Sequence, residues 1–112
     1  GQGSRTIPIA GTAQQPAAGG QLIVGPDDRP RLLVVSGLEP LPTEQDYQFW
    51  LIGEEAPLGG GTFQVDEEGQ GVLEVTAEEP VGAFQAIGVS VEPRGGSAQP
   101  TGDIVMLSEL AG

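Results

Sequence analysis

The chain has 112 residues, 19 of them Gly and 10 Pro, and neither Cys nor His. Without those two side chains it can build no disulfide, no thiolate nucleophile, no Cys- or His-based zinc or blue-copper site and no His-dependent triad. Sixteen acidic residues against four Arg give a net charge of −12, which opposes any approach to nucleic-acid phosphates or anionic lipid headgroups.

Residues 1–112 are expected to form one domain, because a chain of this length buries roughly two-thirds of its unfolded surface and needs no staple. Abundant Gly and Pro between short apolar segments point to tight turns and an all-β class. Leu32 to Val35, Tyr47 to Ile52 and Ala86 to Val91 are too apolar for disorder. Dispersed Asp and Glu suit a solvated β surface that resists edge pairing.

Gly1-Gln2-Gly3-Ser4 is neither a signal peptide nor an initiator start and reads as a linker or cloning remnant of a longer chain. No run of about 18 apolar residues is present to span a bilayer. Arg5 to Ala10 places Ile7 and Ile9 on one face with Pro8 between them, which predicts an edge strand. After a connector of small residues, Gln21 to Val24 is a second strand, ended by the turn Gly25-Pro26-Asp27-Asp28. Arg31 to Ser36 is a third, and its unbroken apolar run predicts burial on both faces or a path across the core. Gly37 to Pro42 cannot be helical through its prolines, so its two Leu residues predict a loop packed back on the core.

Tyr47-Gln48-Phe49-Trp50-Leu51-Ile52 holds the single Trp and the single Tyr and predicts a central strand covered on both sides. Tyr47, Phe49 and Leu51 share one face; Gln48, Trp50 and Ile52 share the other. The expectation is two apolar layers packed about the lone indole. Thr62 to Val65 and Val72 to Thr76 then predict a β-hairpin through Asp66 to Gly71. Phe84 to Val91 is the second long strand, closed by Pro93, and Ile104 to Leu107 is the last. Seven to eight short strands at this spacing predict an immunoglobulin-like antiparallel β-sandwich.

Candidate chemistry is sparse. Asp66-Glu67-Glu68-Gly69 could offer carboxylates to Ca²⁺, but the spacing does not match a helix-flanked calcium loop, and an acidic turn with positive φ at Gly69 accounts for it. Gly59-Gly60-Gly61-Thr62 lacks the Lys of a phosphate loop and reads as a bulge or the start of a strand. Gly88-Val89-Ser90-Val91-Glu92 lacks the second Gly of a nucleophile elbow and has no His to activate its Ser. No pair of carboxylates is placed for glycosidase chemistry, and aromatic sugar platforms are scarce. Neither an enzymatic role nor a cofactor is expected. The loop Glu92-Pro93-Arg94-Gly95-Gly96-Ser97-Ala98-Gln99-Pro100-Thr101-Gly102 is the candidate interaction loop, since loops at the end of a sandwich often bind partners. Set against that, it is a long turn shaped by Pro and Gly, with Glu92 and Arg94 pairing weakly at the surface.

Taken in order, Leu38-Glu39-Pro40-Leu41, the segment from Tyr47 to Ile52, Gly61-Thr62-Phe63 and the segment from Val89 to Gly102 resemble the C-terminal domain of anti-sigma-K factors, the RskA family. The resemblance covers nearly the whole chain. It implies structural roles for Tyr47, Trp50, Leu51, Gly61, Thr62, Phe63, Val89 and Val91. It also implies an extracytoplasmic domain of a bacterial membrane protein. The membrane span and the sigma-binding helices of that protein lie outside this chain, and its partners would include an extracytoplasmic protease or signal-relaying protein. The competing class is a cell-surface immunoglobulin-like binding or adhesion module, which a signal peptide or repeated sandwiches upstream would favour.

Overall fold

A computed structural model describes residues 3–110. Eight strands run in chain order: β1 (Arg5–Gly11), β2 (Gly19–Val24), β3 (Pro30–Ser36), β4 (Gln45–Ile52), β5 (Leu58–Phe63), β6 (Gly71–Glu74), β7 (Ala86–Pro93) and β8 (Ile104–Glu109). A 3₁₀ turn, Val81–Ala83, precedes β7. All pairings are antiparallel, in the order β5-β4-β7-β8-β1-β2-β3-β6, so the all-β class is as expected. Among the described residues, no helix is long and apolar enough to cross a membrane.

The one sheet folds over into two layers. At one corner β8 passes to β1 through only two pairs, Ala10 with Leu107 and Gly11 with Met106. Opposite that corner, the Thr76 N–H donates to the Gly60 carbonyl at 2.9 Å, bringing the end of β6 onto β5 and nearly closing the sheet. Between the layers one apolar core takes Ile9, Leu22, Leu33 and Val35 from β1 to β3, and Tyr47, Phe49, Leu51, Ile87, Val89 and Met106 from β4, β7 and β8. Leu38 is buried in it and Leu41 packs against it, so the proline-rich loop does lie back on the core.

Three local expectations are corrected. β1 is not an edge strand: it sits between β8 and β2, and Pro8 is tolerated because the short β8 ladder ends at Ala10 and does not reach it. β3 is not buried on both faces, since only Leu33 and Val35 point inward while Val34 is exposed beside Val72, which is 60% exposed. Among the described residues nothing packs over that outer face, so the apolar run exceeds what the core uses. The hairpin from β5 to β6 does not form either, because β5 pairs with β4 and β6 pairs with β3, at opposite ends of the sheet order. Alternation reveals a strand and its inward face, but it does not name the neighbour.

β5 contains the bulge. Gln48 faces Thr62 and Trp50 faces Gly59, which leaves Gly60 and Gly61 opposite Phe49 alone. A Cβ on Gly60 would lie 2.6 Å from the Phe49 ring, and Gly61 has φ +121° against the Leu73 side chain. Glycine is therefore required where the sheet turns over its largest core side chains.

Candidate functional site: a strap seated on β4 and β7

Strand alternation gives β4 two different faces. Tyr47, on the inner face, stacks on Phe63 with ring centroids 5.6 Å apart. Its hydroxyl donates to the Glu39 carbonyl at 2.6 Å and accepts from Gln15 Nε2 at 2.9 Å, while Gln15 Oε1 takes the Glu39 N–H at 2.8 Å. The proline-rich loop and the β1–β2 connector are thereby tied to one phenol. Burial first, and the nearby Glu39 charge after it, raise the Tyr47 pKa against the opposing hydrogen bond from Gln15. Leu51 and Val89 lie in the core and Val91 packs at its margin.

The outer face of β4 carries Asp46, Gln48 and Trp50, opposite Glu92, Ser90 and Gly88 of β7. Trp50 is fully buried, but it stands outside the cluster between the layers. The indole is on the outside of the sheet, not clasped by the two layers. Its strand partners on both sides are glycines, Gly59 of β5 and Gly88 of β7, which leave room for a large ring on a pleated surface. Its Nε1 donates to Ser90 Oγ at 2.8 Å, and Ser90 donates in turn to Glu92 Oε2 at 2.6 Å.

The loop after β7 closes this face. Gly95 N–H donates to Asp46 Oδ2 at 2.9 Å. Gln48 holds Ser97 at two points, taking its N–H on Oε1 at 2.8 Å and giving Nε2 to its carbonyl at 3.1 Å. Thr101 N–H donates to Glu92 Oε2 at 3.0 Å and its hydroxyl donates to Oε1, with the Gly102 N–H at 3.3 Å from Oε2. Pro93 to Gly102 is thus a strap fastened across the sheet. Gly95 and Gly96 adopt φ of +89° and +91°, and a Cβ on Gly96 would lie 2.9 Å from both Gln48 Oε1 and Thr62 Cγ2. Only glycine follows that path.

Glu92 is 1% exposed and does not pair with Arg94, which instead donates Nη1 to the Thr43 carbonyl at 3.0 Å. Burial alone would raise the Glu92 pKa, but donors from Ser90, Thr101 and Ser97 together outweigh it and bring the carboxyl down to about 2. Pro100 is partly buried, while Ala98 and Gln99 are exposed on the strap. The sequence sets Ser90 aside as a nucleophile and places Gln48 on the face of Trp50, but it assigns neither of them, nor Asp46, to holding this loop. The available signal was polar residues at every second position of strands expected to be covered on both sides.

The acidic turn is self-contained. Asp66 Oδ1 accepts the N–H groups of Glu68 and Gln70, each at 2.9 Å, and Gly69 takes φ +84°. Among the described residues no group of acids is arranged to hold a metal ion.

The family described as anti-sigma-K factor RskA, C-terminal, matches residues 2–104. A Streptomyces griseus protein described as an uncharacterized protein in the phr 5'region is 32% identical over 105 residues, which is 91% of this chain and 43% of that protein. Anti-sigma-K factor RskA of Mycobacterium sp. strain KMS is 33% identical over 70 residues, 62% of this chain and 28% of its own length. The protein of the same name from strain JLS gives the same figures. The chain therefore spans less than half the length of these curated relatives. No solved structure gives a significant match.

Proposed function

Because the chain belongs to the family of RskA C-terminal domains, we propose that it is the extracytoplasmic regulatory part of a membrane-anchored anti-sigma factor. The rest of that polypeptide would supply the membrane span and the sigma-binding helices. A folded domain outside the membrane would keep a first protease from the segment near Arg5, and its loss would permit a second cut that frees the sigma factor. The role is regulatory, not enzymatic.

The observation that supports this reading is that the segment at Arg5 is stitched into the fold. Arg5 faces Val24 in the β1–β2 ladder. Its guanidinium lies 2.8 Å from Asp28 Oδ1, while Asp28 Oδ2 takes the Gly82 N–H at 2.8 Å. A protease needs several residues of free, extended backbone, so cutting there requires β1 to unpair from the sheet.

The test is Trp50→Ala in the full-length protein with a reporter of sigma-dependent transcription. Losing a fully buried Trp costs about 3–5 kcal/mol, a large part of a typical domain stability of about 5–15 kcal/mol. Transcription should rise without a signal, alongside a lowered thermal transition. Full repression persisting in a chain shown to have lost that transition would sink the mechanism.

A further inference from the structure

Among the described residues, four polar or charged side chains are buried: Asp46, Gln48, Ser90 and Glu92. All four stand in one patch on the outer face of β4 and β7. Buried polar groups normally satisfy elements of the fold itself, yet three of these reach across to the strap, and Ser90 links Trp50 to Glu92.

What they grip is chiefly main chain. The Gln48 amide meets both the N–H and the carbonyl of Ser97, the two-point pairing that one strand offers another. Asp46 takes the Gly95 N–H, and Glu92 takes the N–H groups of Thr101 and Gly102 together with the Thr101 hydroxyl. None of the strap's residues belongs to the core, and Pro93, Arg94, Gly95, Ala98, Gln99, Thr101 and Gly102 are exposed.

We propose that the outer face of β4 and β7 is a binding groove for an extended polypeptide segment, and that Pro93 to Gly102 is its displaceable intramolecular occupant. The groove defines the chemistry of a competing segment. At the Gln48 position it must carry glycine, because a Cβ on Gly96 meets Gln48 and Thr62 at 2.9 Å. Five residues on it must offer a Ser or Thr hydroxyl to Glu92, as Thr101 does. Two carboxylates in the groove exclude an acidic segment and accept a neutral or basic one. A tether keeps the strap at an effective concentration on the order of millimolar, so a free segment enters once the strap is loosened. Binding of this kind requires no protease and is independent of the role proposed above.

The probe is a labelled peptide with the sequence of residues 93–103, titrated by fluorescence anisotropy into the full chain. In the Gly96→Ala chain the strap clashes with Gln48 and is lifted, so the peptide should bind saturably and at least about tenfold more tightly than to the parent chain. Adding Gln48→Leu removes two hydrogen bonds and should weaken binding about tenfold. A peptide carrying its own Gly96→Ala substitution should not bind. No saturable binding to a cooperatively folded Gly96→Ala chain, or binding indifferent to Gln48→Leu, overturns the proposal. Should Gly96→Ala fail to fold, hydrogen exchange on the unaltered protein decides. The amides of Gly95, Ser97 and Thr101 should exchange together, at least roughly tenfold faster than those of Phe49 and Val89. Strap amides that exchange only when the strands do would overturn it equally.

Discussion

Glu92 holds a buried charge with no cation beside it: the ion pairs among the described residues fall on Asp27, Asp28 and Glu78. Its ionised form is stabilised by hydroxyl and amide donors alone, enough to bring its pKa from 4.5 to about 2 in the fold. A lowered pKa means that the unfolded chain takes up its proton first. The stabilisation is whole above the unfolded value and drains away as pH falls from about 4.5 through about 2, amounting to about 3 kcal/mol. Glu92→Gln should therefore be less stable at pH 7, with a flatter fall in urea-melt stability between pH 5 and pH 2 than the parent. Asp27 and Asp28 also titrate low, Asp27 through the Arg29 N–H first and Asp28 through its hydrogen bond from Arg5, so the comparison must be made between the two chains. Parallel pH profiles would show that Glu92 is not the group responsible. That it would be buried at all was invisible in the sequence, where Glu92 beside Arg94 looks like an exposed pair. Burial came from a strap that returns over the sheet.

At the scale of elements, β4 was the most legible strand, because an apolar and aromatic run broken only by Gln48 and flanked by acidic residues has few other uses. Both of its faces are indeed covered. What covers them differs: a second layer of sheet lies over Tyr47, Phe49 and Leu51, and the face of Gln48 and Trp50 lies under the chain's own loop. β5 makes the opposite case, with three consecutive glycines whose sequence reads as a bulge or the start of a strand. The bulge is required by the Phe49 ring beneath Gly60. Gly60→Ala should cost about 1–3 kcal/mol through overpacking against that ring, read as a lowered urea midpoint with an unchanged slope. An unshifted midpoint would mean that β5 can move away without loss, contrary to its link to Thr76.

Across the whole molecule, a net charge of −12 on 112 residues must repel itself. Its surface cation pairs, such as Arg5 with Asp28 at 52% and 37% exposure, contribute little. Screening should therefore stabilise the fold, and the melting temperature should rise from about 10 mM to 150 mM salt as the Debye length shrinks from about 30 Å to 8 Å. A falling melting temperature would mean that attractive pairs outweigh the repulsion. The all-β class, the positions of the strands other than β5 and the inward side chains of β1 and β4 were determined by the sequence alone, because alternation, turn residues and apolar runs are local properties that each segment carries with it. Strand partners, near-closure at Gly60 and Thr76, the outward placement of Trp50 and the seat of the strap were decided only by tertiary structure. Each joins residues far apart in the chain, and no local pattern states which distant edge or face a segment will meet.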